Sequence, residues 1–239
     1  MEREYLRTHS AVLGTEMEML VFGHAGTPVL VFPTAKGRYS EYEDRGMIGA
    51  IGELLHDGVV QVFCVDGIDT ESWYNQALAP RERVLRHVAF ERYIIEEVLP
   101  LIRERNPLEK LTTTGCGFGA YHAVNFSLRH PDLVDMCIAL SGIYNIRPLL
   151  DGYFDDDCYF NNPVEYLPRL TDPWFLNLYR TKVRFIIAAG ESDIHLESSL
   201  QLSRLLDAKH VRHWLDIWGD HTQHDWRWWK MMIRKFLDE

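Results

Sequence analysis

The pentapeptide Gly115-Cys116-Gly117-Phe118-Gly119 lies between a β-prone run at 111–114 and a stretch from Phe118 that reads as a helix. A strand–turn–helix of this kind is the setting in which a G-x-S-x-G turn presents a serine nucleophile for acyl transfer. The flanking residues must be small, because the turn is tight and the helix start crosses close to the strand. With Gly115 and Gly119 as the flanks, the nucleophile position falls on Gly117, which has no side chain. Placing Cys116 there instead makes Thr114 and Phe118 the flanks, and a phenylalanine would crowd the turn. Gly117 is therefore the favoured position and Cys116 the alternative. A dinucleotide-binding reading of the same glycines fails on spacing, since that fingerprint needs G-x-G-x-x-G at an early βα turn.

Two groups further along could serve such a turn. Asp193 follows the apolar run 185–189, which puts a carboxylate at the carboxyl end of a buried strand. Glu191 competes with it, and a plain N-cap for a helix at 197–208 is the other use of Asp193. His221 and His224 share the segment Gly219-Asp220-His221-Thr222-Gln223-His224-Asp225-Trp226. A metal site made from these histidines with Asp220 or Asp225 is disfavoured, because neither a His-Glu-x-x-His motif nor a cysteine pair accompanies them. No metal and no cofactor is expected.

The elements that must position these residues alternate regularly. Strands are predicted at 17–22, 29–32, 61–65, 111–114, 136–140, 185–189 and 213–218, and helices at 46–56, 89–105, 118–130, 197–208 and 226–237. In the 89–105 helix, Tyr93, Ile94, Val98, Leu101 and Ile102 recur at helical spacing with charges between them. Early strands followed by a βαβα alternation predict an α/β fold, a mostly parallel sheet with helices on both faces. The whole chain, 1–239, reads as one such domain. Residues 144–181 break the alternation and read as an irregular, partly helical insertion near the mouth of the site, with plain packing as the alternative use.

Composition narrows the partners. The 239 residues are 46% hydrophobic and 25% charged, ordinary for a globular chain, and the formal net charge of −10 disfavours nucleic-acid or anionic-membrane partners. No run approaches the roughly 18 apolar residues of a membrane span, and Met1-Glu2-Arg3-Glu4-Tyr5 does not open like a signal peptide. Cys64, Cys116, Cys137 and Cys158 form no CxxC pair and read as buried, reduced thiols, which predicts a cytoplasmic protein. Seven tryptophans, several at 226–229, leave homo-oligomerisation open.

The chain resembles the esterase family of α/β-hydrolases that includes feruloyl esterases, enterochelin-esterase-like proteins, S-formylglutathione hydrolases and mycolyltransferases. The resemblance is carried by Pro28-Val29-Leu30-Val31-Phe32-Pro33, by 90–105, by the elbow with Ala120-Tyr121, and by His224-Asp225-Trp226. It implies a triad in chain order nucleophile, acid, histidine. The family's His-x-Trp-x-aromatic-Trp ending selects His224 over His221, with Asp193 as the acid. The loop after 29–32 would supply one oxyanion N–H, from Ala35 or Thr34, and Phe118 the other. Arg38, Tyr39, Glu41, Tyr42, Glu43 and Asp44 would line the same mouth or form a charged surface loop. The family carries serine where this chain has Gly117. The implied protein is thus a silent esterase relative that binds a small ester or acyl ligand or serves assembly. The alternative is an active carboxylic-ester hydrolase with a non-standard nucleophile, or one whose natural serine at 117 has been replaced.

Overall fold

A computed structural model describes residues 2–238. Eight strands form one sheet: β1 (Arg3–Ser10), β2 (Thr15–Phe22), β3 (Thr27–Phe32), β4 (Val60–Val65), β5 (Thr112–Cys116), β6 (Met136–Leu140), β7 (Arg184–Gly190) and β8 (His213–Trp218). Their spatial order is β1-β2-β4-β3-β5-β6-β7-β8. The pairs β1/β2 and β2/β4 are antiparallel and all others parallel. The seven strands read from sequence are present, shifted by at most two residues at either end. The eighth, β1, was not predicted. Its side chains are nearly all exposed, so it carries no buried apolar stripe, and backbone pairing with β2 from Arg3 opposite Phe22 to Ser10 opposite Thr15 holds it.

The helices are α1 (Glu41–Asp44), α2 (Met47–Ala50), α3 (Gly52–His56), α4 (Pro80–Tyr93), α5 (Leu99–Arg105), α6 (Phe118–Arg129), α7 (Asp156–Phe160), α8 (Pro163–Arg169), α9 (Pro173–Thr181), α10 (Leu196–Ala208) and α11 (Trp226–Leu237). Two expectations need correction. The helix expected at 46–56 is broken into short pieces, because Gly46, Gly49 and Gly52 weaken helical continuity. The helix expected from 89 begins at Pro80, where proline suits a first helical position and the Glu82 carboxylate accepts the Ala79 N–H at 3.1 Å. That first stretch is rich in charge and hides its periodicity. A π turn over Ile94–Val98 joins α4 to α5; Pro100, with no amide to give the preceding turn, follows directly.

Alternate residues along each strand feed two cores, one on each face. Leu30, Phe32, Phe63, Val65, Cys137, Ala139, Phe185 and Ile187 pack under α4, α5, α6 and α10. Val29, Val31, Val62, Cys64, Cys116, Ile138, Leu140, Ile186 and Ala188 pack under α1–α3 and α11. All four cysteines are buried and unbonded. Trp229 is buried, and Trp226 and Trp228 pack partly against the second core, so much of the tryptophan cluster is spent inside the molecule. No helix among the described residues is long and apolar enough to cross a membrane. The carboxyl ends of β3, β5, β6, β7 and β8 open on one edge, where a parallel α/β sheet places its chemistry.

Candidate active site

The turn after β5 has the geometry its glycines demand. A Cβ on Gly115 would run into the backbone of Gly119, and one on Gly119 would run into the Phe32 and Pro33 carbonyls. The crossing of strand end and helix start therefore leaves no room for larger flanks. Gly117 stands at the apex with φ 57° and ψ −116°, a backbone that side-chain-bearing residues rarely adopt. A Cβ built there would lie 3.4 Å from His224 Nε2, an ordinary contact distance. A side-chain atom at 117 would thus face the imidazole. Cys116 faces the other way. Its Sγ lies 3.6 Å from the Tyr42 hydroxyl, inside the core under α11, and burial pushes the thiol well above its ordinary pKa.

His224 and Asp193 come together from two loops. Glu191 N–H donates to the Trp218 carbonyl at 2.8 Å and Ser192 N–H to the Thr222 carbonyl at 3.0 Å, which ties the segment after β7 to the segment after β8. Across that seam His224 Nδ1 lies 3.1 Å from Asp193 Oδ1. The Asp193 side chain is wholly buried, whereas His224 keeps 23% of its side-chain surface exposed. Burial would raise the Asp193 pKa, but hydrogen bonds from His224, Ser141 and the His195 N–H outweigh it and hold the carboxyl below its ordinary value. The His195 N–H donates to the same Oδ1 at 2.8 Å just before α10, whose N-cap is His195, so Asp193 does not serve as the helix cap. His221 points elsewhere. Its ring is 93% exposed, and its N–H donates to Glu191 at 2.7 Å, which also takes Glu191 away from His224.

The loop after β3 is clamped on both sides of Ala35. Glu41 accepts the Thr34 N–H at 2.8 Å and the Thr34 hydroxyl at 2.7 Å. Asp69 accepts the Lys36 N–H at 3.3 Å and binds His122 Nε2 at 2.9 Å. Since His122 sits one turn beyond Phe118 on α6, Asp69 joins the loop to the helix that begins at the elbow. The Thr34 amide is consumed, which removes it as a free donor. The amides of Ala35 and Phe118 have no acceptor among the described residues. The rest of the expected mouth is structural: Arg38 forks onto Asp66 at 2.6 and 2.8 Å, Tyr42 is buried, and Glu43 pairs with Arg3.

Sequence reasoning missed several supporting groups. Ser141 follows β6 with φ 55°, and its Oγ accepts the Trp229 indole N–H at 2.8 Å. Because indole can only donate, the Ser141 hydroxyl keeps its own proton to give. Trp229 also meets His224 edge to face, with ring centroids 4.7 Å apart. His195 stands 4.9 Å from His224 on another side, and burial, then the neighbouring imidazole, lowers its pKa. The signal for Trp229 lay in the 226–229 cluster. Nothing local marked Ser141, whose role comes from tertiary contact. Four non-glycine residues with positive φ (Lys36, Ser141, Asp220 and His221) border this region, as strain gathered at functional sites does.

Of the segment 144–181, Ile146, Leu150 and Cys158 pack with Phe118, Trp73 and Tyr121 beside the elbow. Its later part lines a separate cavity of about 430 Å³ at the far end of α6, among Leu128, Tyr166, Phe175 and Tyr179.

A model of the family described as "Putative esterase" matches residues 13–236. Among solved structures, a ferulic acid esterase superposes with a TM-score of 0.79 at 15% identity, covering 99% of this chain and 96% of its own. An S-formylglutathione hydrolase from Agrobacterium tumefaciens gives 0.76 at 16% identity, with 99% and 93% covered. One from Staphylococcus aureus gives 0.74 at 17% identity, with 99% and 96% covered. At these identities the likeness concerns the fold, which is that of α/β-hydrolases. None of the curated proteins matches the chain.

Proposed function

The chain belongs to the esterase family of α/β-hydrolases, and on that premise we propose that it is a catalytically silent member whose site binds an acyl ligand without turning it over. The observation that carries this reading is the pairing of Gly117 with His224: the imidazole faces the position at which the fold presents its nucleophile, and no oxygen or sulfur stands there. Covalent acyl transfer needs such an atom. In the proposed roles, Gly117 occupies the nucleophile position, Asp193 orients His224, and the Phe118 and Ala35 amides receive an oxyanion. Loss of one triad member leaves about 10³–10⁴-fold catalysis over water from the donors and binding, little beside the millionfold or greater enhancement of working enzymes.

The intact His224–Asp193 pair favours one second reading, a slow hydrolase in which His224 activates water. Cys116 is a poor candidate for the nucleophile, because its thiol is buried, un-ionised and turned into the core. The test is hydrolysis of p-nitrophenyl butyrate by the chain itself, by Cys116→Ala and by His224→Ala. All three are expected to turn over equally, at no more than the residual rate that binding and the amide donors leave. Turnover abolished by His224→Ala would replace the silent reading with the water mechanism, and turnover abolished by Cys116→Ala would overturn the register.

A further inference from the structure

We infer that the ligand class of this site is a free monocarboxylic acid, held by its two carboxyl oxygens. This rests on the proposed roles of Gly117, His224, Phe118 and Ala35. In the tetrahedral adduct of a serine hydrolase, one carbon carries two oxygens at the catalytic centre: the serine Oγ facing the histidine, and the oxyanion facing the amide donors. A carboxyl group also carries two oxygens on one carbon. With serine present, Oγ fills the first position and an acid product collides with it. With Gly117 the position beside His224 Nε2 is open to a ligand atom, since even a Cβ would stand 3.4 Å from that nitrogen.

The chemistry of the surrounding groups fits this occupant. Asp193 accepts from Nδ1, so the neutral imidazole keeps its proton there and offers Nε2 as an acceptor. At neutral pH the ligand arrives as its carboxylate, so binding draws one proton from solvent onto Nε2, and the carboxylate pairs with the imidazolium so formed. Ser141 and the His195 N–H stabilise the charge on Asp193 throughout. The second carboxyl oxygen takes the Phe118 and Ala35 N–H groups, which have no acceptor among the described residues. Lys36 adds a cation: its ammonium lies 5.2 Å from the Tyr74 ring, and that ring meets Phe118 edge on. One positive charge therefore sits on the far side of the Tyr74 ring from Phe118. An ester lacks the negative charge and carries an alkyl group where the first oxygen would meet His224, so it fits less well than its acid.

The test titrates sodium butyrate and ethyl butyrate into the isotopically labelled chain and follows the backbone amide resonances. Butyrate is expected to saturate, moving the Phe118 and Ala35 amides most, while ethyl butyrate binds at least tenfold more weakly. Gly117→Ser should weaken butyrate at least tenfold by refilling the oxygen position. His224→Gln should do the same with the backbone at 117 unchanged, and Lys36→Gln should cost a few-fold. Absence of saturation to 50-fold above the concentration range of ordinary metabolites (about 1 mM and below), or saturation unaffected by both Gly117→Ser and His224→Gln, overturns the inference. A p-nitrophenyl butyrate assay on the same samples separates the readings: turnover by the unaltered chain that His224→Gln abolishes sinks the silent-enzyme proposal, whereas its absence without butyrate binding sinks only the ligand class.

Discussion

Two histidine–aspartate pairs lie on either side of the same helix start, with similar bond lengths and opposite settings. His224–Asp193 is 3.1 Å long and keeps the imidazole 23% exposed, its free nitrogen facing the apex of the elbow. His122–Asp69 is 2.9 Å long with both side chains at 6% exposure or less, its ring packed among Phe32, Phe90, Phe118 and Tyr121. The first pair is aimed at a place where a reacting atom could stand. The second locks a loop to a helix. What the imidazole's other nitrogen faces, and whether water can reach it, separates a chemical group from a structural one.

The largest effect expected from this difference is on activity. Gly117→Ser should raise p-nitrophenyl butyrate hydrolysis at least about 10³-fold, and His224→Ala in that variant should remove the gain. His122→Ala in the same variant should lower the rate much less. On stability the order reverses. Both variants leave a buried carboxylate, but water can enter where the part-exposed His224 stood, so His122→Ala is expected to cost more, about 2–4 kcal/mol in urea unfolding against about 1–2 kcal/mol for His224→Ala.

The buried side also predicts a response to acid. His87 lies 5.5 Å from His122, and burial, then the neighbouring histidine, lowers its pKa to about 3. An unfolded histidine binds its proton near pH 6.5, so stability is full above that value and is lost as pH falls towards 3. Between pH 6.5 and 4.5 this residue should cost about 2–3 kcal/mol. In His87→Gln the difference between urea midpoints at pH 7 and pH 4.5 should shrink accordingly. A modest effect belongs to the crevice: forcing a side chain onto the Gly117 backbone should make Gly117→Ser less stable by about 1–2 kcal/mol, read as a lower Tm.

Much of this comparison was legible in the sequence on one side only. His224 was separated from His221 only by resemblance to the family's ending, whereas the elbow and Asp193 are marked by local rules, small flanks at a tight turn and a carboxylate at a strand end. The sheet was legible for the same reason, except β1, whose exposed side chains leave no pattern. Asp69, His122, Ser141 and Trp229 are far apart in sequence and meet only once the sheet is built. A histidine inside a helix and an aspartate in a loop carry no local mark of pairing. The broken helices at 46–56 were misread because an apolar pattern persisted through glycines that interrupt the backbone.

The central claim is that a retained histidine–aspartate pair faces an elbow with no nucleophile. Intact mass after treatment with an alkyl fluorophosphonate reads this directly, because the reagent marks a nucleophile activated by its histidine. The unaltered chain should gain no mass, Gly117→Ser should gain one adduct at residue 117, and Gly117→Ser with His224→Ala should gain none. An adduct on the unaltered chain, or a serine variant that stays unmarked while folded, would contradict the account.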